Sequence, residues 1–322
     1  MLYLGQKDID NLVSFDELMD NIELAFKIYE KKDFQMPDRI HLHHKEDTVL
    51  YMPCFTDSIF GTKIITVFQK NTEKKIPVIQ GVMLLNDVDT GKPIAIIDGG
   101  TLTAYRTGAV GGVGVRHTTG EKCQAVGLVG AGIQGFYQLL FTAKARNIKR
   151  IYVFDIFKEK LNSFKEKLSE KLPEVEINIV EDIRELVEKS EIIITTTTSN
   201  KPVLPDDESL LKGKHIVAIG SYKPEMRELP EALFRLLDDM YIDTDFAMEE
   251  SGDLTTPLKN NWIKKEQVKL FSKLLSDKSN IVNKKGNTTL FKSVGMALFD
   301  LVVAEFIYIK AMEKGIGQSI NM

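Results

Sequence analysis

Cysteine is scarce. Cys54 and Cys123 are the only two in 322 residues and stand in unrelated contexts. That spacing offers neither a disulfide framework nor a cysteine metal site, and it suits a reducing cytoplasm. No basic stripe is present and the formal net charge is -4, which argues against nucleic acid as a partner. No apolar run is long enough to cross a membrane. The most apolar late stretch, 294–309, is interrupted by Asp300 and Glu305 and reads as a buried helix. Residues 1–8 lack the layout of a signal peptide. There is no G-x-S-x-G and no Cys–His pair at a recognisable spacing, which disfavours hydrolase chemistry. Internal repeats and low-complexity segments are also missing. What is present is ordinary for a globular protein, 43% hydrophobic and 27% charged residues, in a chain long enough for two well-buried domains.

Residues 122–155 organise the rest. An apolar run at 125–129 leads into Gly130-Ala131-Gly132-Ile133-Gln134-Gly135, a G-x-G-x-x-G. Helix-prone residues follow to 145. A second apolar run, 151–154, ends at Asp155, twenty residues past the last glycine. Strand, glycine turn, helix, strand and acid together predict a dinucleotide site. Gly130 permits the tight turn, Gly132 lets backbone approach a pyrophosphate, and Gly135 lets helix and strand pack closely. The helix N-terminus offers free N–H groups and partial positive charge to the phosphates. Asp155 is expected to accept hydrogen bonds from the adenosine ribose.

Six expected strands, 125–129, 151–154, 176–180, 192–198, 215–219 and 240–244, alternate with helical stretches. This predicts an α/β fold with a doubly wound (Rossmann) sheet and right-handed crossovers. Upstream lies a different pattern. An amphipathic helix at 14–31 starts from Ser14 and Glu17, a capping box. A hairpin at 40–51 and strands at 61–69, 78–87 and 94–98 follow. A glycine-rich helix at 102–116 must pack against something that comes close, such as a cofactor or a second domain. The apolar helix at 294–310 has no strand to cross to, so it is placed back on the first domain. The expected organisation is a discontinuous α+β substrate-binding and dimerisation domain, 1–118 and 290–322, and a Rossmann domain, 119–289.

Among chemistry-bearing residues, His41, His43 and His44 are expected on an exposed hairpin face, not at a metal. Asp243, Asp245, Glu249 and Glu250 end or follow the sixth strand and are expected mostly in solvent, with a few near an inter-domain cleft. Arg39, Lys63 and Arg106 are more telling. Each lies in or beside an apolar or glycine-rich stretch, where a lone cation is costly unless it meets an anion. Beside a dinucleotide site they suggest a pocket for a small carboxylate.

At these positions the chain resembles the ornithine cyclodeaminase/mu-crystallin family. The matching pieces are Met36-Pro37-x-Arg39, Gly61-x-Lys63, Asp89-Thr90-Gly91-x-Pro93, Leu102-Thr103-x-x-Arg106-Thr107-Gly108-Ala109, Gly130-x-Gly132-x-Gln134, Arg227-Glu228-Leu229 and Phe291-Lys292-Ser293-Val294-Gly295. The resemblance implies a subunit that forms a homodimer through its non-nucleotide domain. It implies that Arg39, Lys63 and Arg106 bind the substrate carboxylate and reacting centre, with Val294 near the substrate and Lys63 catalytic. It places Ile133, Gln134, Asp155, Thr196 and Ser293 around a nicotinamide cofactor, and adds Arg106, Thr107, Gly130, Gly132, Gly135 and Gly220 to that set. One departure stands out. Tyr222 occupies the place of the aspartate that serves ornithine cyclodeaminases as acid/base, and a tyrosine, with an ordinary pKa of about 10, is a poor substitute. The expected activity is therefore hydride transfer between NAD(H) and the α-carbon of a small amino or imino acid, NADH being preferred over NADPH. The candidate reactions are cyclic ketimine reduction and reductive amination of pyruvate. Ornithine cyclisation and non-catalytic binding of a carboxylate ligand are the alternatives.

Overall fold

The computed structural model describes residues 1–74, 76–276 and 286–321. The chain divides into two compact units, one of Met1–Arg106 with Met296–Met322 and the other of Thr107–Gly295. In chain order the strands of the first unit are β1 (Leu2–Leu4), β2 (Ile40–His44), β3 (Asp47–Phe55), β4 (Ile59–Val67), β5 (Ile79–Asp87) and β6 (Pro93–Asp98). The second unit holds β7 (Ala125–Val129), β8 (Arg150–Phe154), β9 (Glu176–Ile179), β10 (Ile192–Thr195), β11 (His215–Ala218), β12 (Leu237–Ile242), β13 (Val268–Leu270) and β14 (Thr288–Lys292). The short β15 (Gln318–Ser319) returns to the first.

The first unit is a sheet backed by helices. Its strand order is β15-β1-β6-β5-β4-β3-β2. From β2 to β6 the neighbours are antiparallel. Along β4 burial alternates strictly, residue by residue, as one covered face requires. The helix at Phe15–Lys31 starts as its sequence predicts, with Ser14 Oγ accepting from the Glu17 N–H at 3.3 Å. It ends at Lys32, whose φ of 63° is left-handed. Its Leu18, Met19, Ile22, Ala25, Phe26 and Tyr29 are buried at helical spacing. The last helix, Ala297–Lys314, packs on this helix and on β3, β4 and β5. Phe26 meets Phe299 edge-on, with centroids 4.9 Å apart. Burying each such ring contributes about 1.5–3 kcal/mol. The expected discontinuity follows from this packing, since a chain end with an apolar face finds its cover on the first unit.

The second unit carries a parallel sheet in the order β13-β12-β14-β11-β10-β7-β8-β9. Every pairing is parallel. Strand order reverses between β7 and β10, the place where a doubly wound sheet binds ligands beyond its carboxyl ends. Two strands were not foreseen. β14 lies between β11 and β12, and all five of its residues are buried. A strand covered on both faces shows no alternation, so Thr288–Lys292 gives no period-2 signal. The expected boundary at 289/290 would cut through it. The observed divisions fall at 106/107 and 295/296 instead of 118/119 and 289/290. Residues 277–285 of the expected Rossmann span lie outside the described residues.

The glycine-rich helix, Gly99–Thr118, owes its glycines to protein packing. A Cβ on Gly108 would stand 2.6 Å from the Phe141 ring. One on Gly111 would overlap Gln138, and one on Gly114 would overlap Phe291 of β14. The close neighbours are the helix Ile133–Ala145 and β14, within the second unit, and not a cofactor.

Candidate active site

The glycine turn is built for a close approach. Gly130 has φ 101°, a conformation that a side chain would strain. A Cβ on Gly132 would meet nothing within 4 Å, so the backbone there faces open space at the N-terminus of the helix Ile133–Ala145. Gly135 abuts the Gly130 carbonyl so closely that a Cβ would collide with it. Ile133 is 65% exposed at the helix start. Among the described residues, Gln134 Oε1 is out of solvent with no hydrogen-bond partner, and so is the Thr107 hydroxyl. Thr196 Oγ1 donates to the Gly130 carbonyl at 2.7 Å and ties the end of β10 to the turn. These features, a strained glycine, a cradle open at Gly132 and unpaired buried polar atoms, fit a dinucleotide.

Asp155 holds backbone on both sides of the turn. Its Oδ2 accepts from the Ala131 N–H at 2.7 Å and its Oδ1 from the Phe157 N–H at 2.9 Å. The carboxylate thus fixes the turn and its own loop, and each oxygen keeps lone-pair capacity for a further donor. Gly220 follows β11. Its N–H donates to Thr195 O and to Glu228 Oε2, and a Cβ there would collide with Thr197 O. Ser293 Oγ donates to Asp243 Oδ2 at 2.6 Å.

In the first unit the structure brings together two of the three expected cations. Lys63 enters the buried face of β4, where its backbone pairs with Met52 and Met83 of the flanking strands. It is 1% exposed. Its Nζ donates to Asp300 Oδ2 at 2.7 Å, and Arg106 Nε donates to Asp300 Oδ1 at 2.8 Å. Asp300, on the last helix, is fully buried. One carboxylate therefore bridges both cations. Burial pushes the Lys63 ammonium down to about 7, Asp300 opposes this, and the charges of Arg106 and Arg39 push it further down. Arg39 is half-buried just before β2, close enough for its charge to act on Lys63.

The structure gives two of the expected site residues their packing context and places two acids where their local sequence does not. Val294 belongs to the second unit, where its N–H donates to Asp243 Oδ2 at 3.1 Å. Thr107 also falls in the second unit, and its carbonyl accepts from Gln138 Nε2 at 2.7 Å. Asp243 is not solvated. It is fully buried and accepts from the Ser293 hydroxyl and the Val294 and Gly295 N–H groups, which follow the neighbouring strand β14. In the sequence Asp300 stands only as an interruption of an apolar run. A lone acid among apolar helical residues is the signal that it has a buried partner. His41 and His43 are exposed on β2 with rings stacked 6.1 Å apart, and His43 Nδ1 meets Thr48 Oγ1 at 3.2 Å.

A model of the ornithine cyclodeaminase/mu-crystallin family matches residues 2–315. The chain belongs to this family. Among curated members it is 30% identical to the Delta(1)-pyrroline-2-carboxylate reductase of Bacillus cereus, over the full length of both chains. Among solved structures, the Delta(1)-pyrroline-2-carboxylate reductase of Thermococcus litoralis, in complex with NADH and L-proline, superposes with a TM-score of 0.93. It is 31% identical, with 99% of this chain and 100% of that one covered. An archaeal alanine dehydrogenase dimer with bound NAD superposes with a TM-score of 0.92 at 26% identity, covering 100% of this chain and 99% of that one. Within the family, this member is an NAD-dependent oxidoreductase of imino or amino acids. No helix among its described residues is long and apolar enough to cross a membrane.

Proposed function

We propose that this chain uses NADH to reduce a five-membered cyclic ketimine carboxylate, Δ1-pyrroline-2-carboxylate, to proline. The observation that carries the reading is Lys63, a fully buried ammonium held near neutrality beside Asp300 and Arg106. Reducing a C=N bond needs a proton on nitrogen as well as hydride on carbon. When bound, the reduced nicotinamide supplies the hydride. Arg39 and Arg106 hold the carboxylate, which suits guanidinium geometry. Lys63 gives its proton to the ring nitrogen, and Asp300 keeps the ammonium aimed. An acid with a pKa near the working pH is suited to such a transfer. Similarity to the two pyrroline-carboxylate reductases favours the cyclic imine over pyruvate with ammonia. We also infer a homodimer in the cytoplasm, consistent with two buried, unpaired cysteines.

Three parallel assays test the reading. Purified protein is offered NADH with Δ1-pyrroline-2-carboxylate, NADH with pyruvate and ammonia, and NAD with ornithine. Rapid NADH loss in the first alone is the expected result. Loss confined to the second would replace the cyclic substrate with pyruvate. In the third, no ammonia is expected, because Tyr222 is a weak base where the family's cyclodeaminases have a carboxylate. Proline and ammonia from ornithine would overturn this and point to the neighbouring Glu225 as base.

Cofactor preference is a further expectation. A carboxylate at Asp155 welcomes two ribose hydroxyls and repels a 2′-phosphate. No arginine follows within the next few positions, and Lys158, the first cation after Asp155 in the chain, pairs with Glu181 at 3.5 Å. NADH should be preferred over NADPH at least roughly tenfold in kcat/KM, about 1.4 kcal/mol. Asp155→Ser should narrow the gap. Equal kcat/KM for the two cofactors in wild type would refute the role given to Asp155.

A further inference from the structure

The ends of two neighbouring strands converge on one buried carboxylate that no step above uses. Glu228 is fully buried. Its Oε1 accepts from the Thr197 N–H at 2.6 Å, just beyond β10. Its Oε2 accepts from the Gly220 N–H at 2.8 Å and the Ser221 N–H at 3.3 Å, just beyond β11. The Thr195 hydroxyl donates to the same oxygen at 2.9 Å. None of these hydrogen bonds reaches the glycine turn or Asp155.

Glu228 is itself fixed from behind. Its own N–H and that of Leu229 donate to Asp253 Oδ1 at 2.7 and 2.9 Å. The other Asp253 oxygen stands 3.6 Å from Lys292 Nζ, at the end of β14. Among the described residues that ammonium has no hydrogen-bond partner, so the contact is an ion pair alone. Immediately after Lys292, the side chain of Ser293 and the N–H groups of Val294 and Gly295 fasten to Asp243. Three residues expected around the cofactor, Ser293 among them near the nicotinamide, are thus set by this buried group of charges. Thr196 lies between two donors to Glu228, Gly220 is itself a donor, and Ser293 lies between Lys292 and the Asp243 bond.

Burying three carboxylates and a lysine is not an economical way to stabilise a core, since apolar residues of similar volume serve as well or better. Burial and Asp253 push the Glu228 carboxyl up, while Lys292 and the bonds from Thr197 pull it down. The three backbone N–H groups bonded to its oxygens can only donate, and the Thr195 hydroxyl is placed to donate as well. The arrangement suits the anion. In a doubly wound sheet the half containing β7, β8 and β9 takes the adenosine end of a dinucleotide, and the other half takes the far end.

We propose that Glu228 is a positioning residue for the nicotinamide half of the cofactor, bracing the ends of β10 and β11 into one rigid floor. The proposal rests on NAD binding and not on the imino acid assigned above. It is tested in the full chain with Glu228→Gln, which keeps one acceptor oxygen and turns an amide N–H₂ toward N–H donors. NADH and ADP-ribose, which has the same adenosine and pyrophosphate but no nicotinamide, are titrated separately. The Kd for NADH should rise roughly tenfold or more, and that for ADP-ribose should stay within about twofold. Equal weakening of both ligands would show a general loss of structure, and no weakening of either would show that the brace is dispensable. Each of these results overturns the proposal. Thr195→Val, which removes one donor and keeps the shape, carries the same comparison if Glu228→Gln fails to fold. It should weaken NADH about threefold with ADP-ribose unchanged, and parallel changes in the two ligands would overturn the proposal equally.

Discussion

Lys63→Met should lower kcat for imine reduction by roughly 10²-fold or more, with the KM for the imino acid changed far less. Methionine nearly matches the length of lysine and suits the apolar face of β4, so the packing survives. Arg106 stays on Asp300 Oδ1 at 2.8 Å and keeps a cation beside the carboxylate. What disappears is the buried ammonium whose pKa burial lowers to about 7. The pH profile carries the same prediction. Reduction needs Lys63 protonated, so kcat/KM in wild type should fall as pH rises through about 7. Oxidation of proline needs the neutral amine and should rise over the same interval. The variant should lose both inflections. Steady-state assays with NADH saturating decide the matter, and near-wild-type kcat and KM together would show that Lys63 is only structural.

Asp300→Leu is expected to be the most destabilising single change in the first unit. The carboxylate is fully buried and bridges two cations that are themselves almost wholly buried. Removing it strands both charges. Breaking a buried pair in this way costs about 3–5 kcal/mol. At roughly 2–4 °C per kcal/mol, Tm should fall by about 6–20 °C. The double variant Lys63→Met/Asp300→Leu should recover part of the loss, because only Arg106 is then left unpaired. Additive losses in the double variant would show that Lys63 and Asp300 are not coupled. A milder change, Asp300→Asn, removes the influence that raises the Lys63 pKa. Its residual activity should therefore fall away at a lower pH than in wild type.

Legibility in the sequence followed the range of the interactions. The glycine turn, its flanking strands and Asp155 lie within one short segment, so local pattern reveals them. β7 falls at the expected 125–129, and β8 begins one residue earlier than expected. β14 was missed because its place between β11 and β12 is decided by neighbours distant in the chain, and its uniform burial leaves no alternation to read. Lys63 and Arg106 stood out as cations in the wrong surroundings. Their partner did not, because Asp300 lies 237 residues after Lys63 and nothing local connects them. Asp243 was assigned to solvent because acids at strand ends usually lie there, and only the turn at 293–295 explains its burial. The glycine turn of the second unit is thus largely readable, whereas the buried acid of the first unit is not.

The placement of Asp300 on the last helix bears on how the protein is made. A ribosome releases Lys63 and Arg106 long before it has translated Met296. Until then the first unit lacks both the helix that covers its sheet and the carboxylate that balances its two buried cations. The second unit, Thr107–Gly295, is contiguous and complete at that point. Domains generally fold as units during synthesis, and contacts of large sequence separation form late. The second unit can therefore fold without the chain's last segment, and the first cannot be completed without it. Lys63 and Arg106 gain their buried carboxylate only once the helix carrying Asp300 is made, so a chain that stops short of it leaves both cations without that partner.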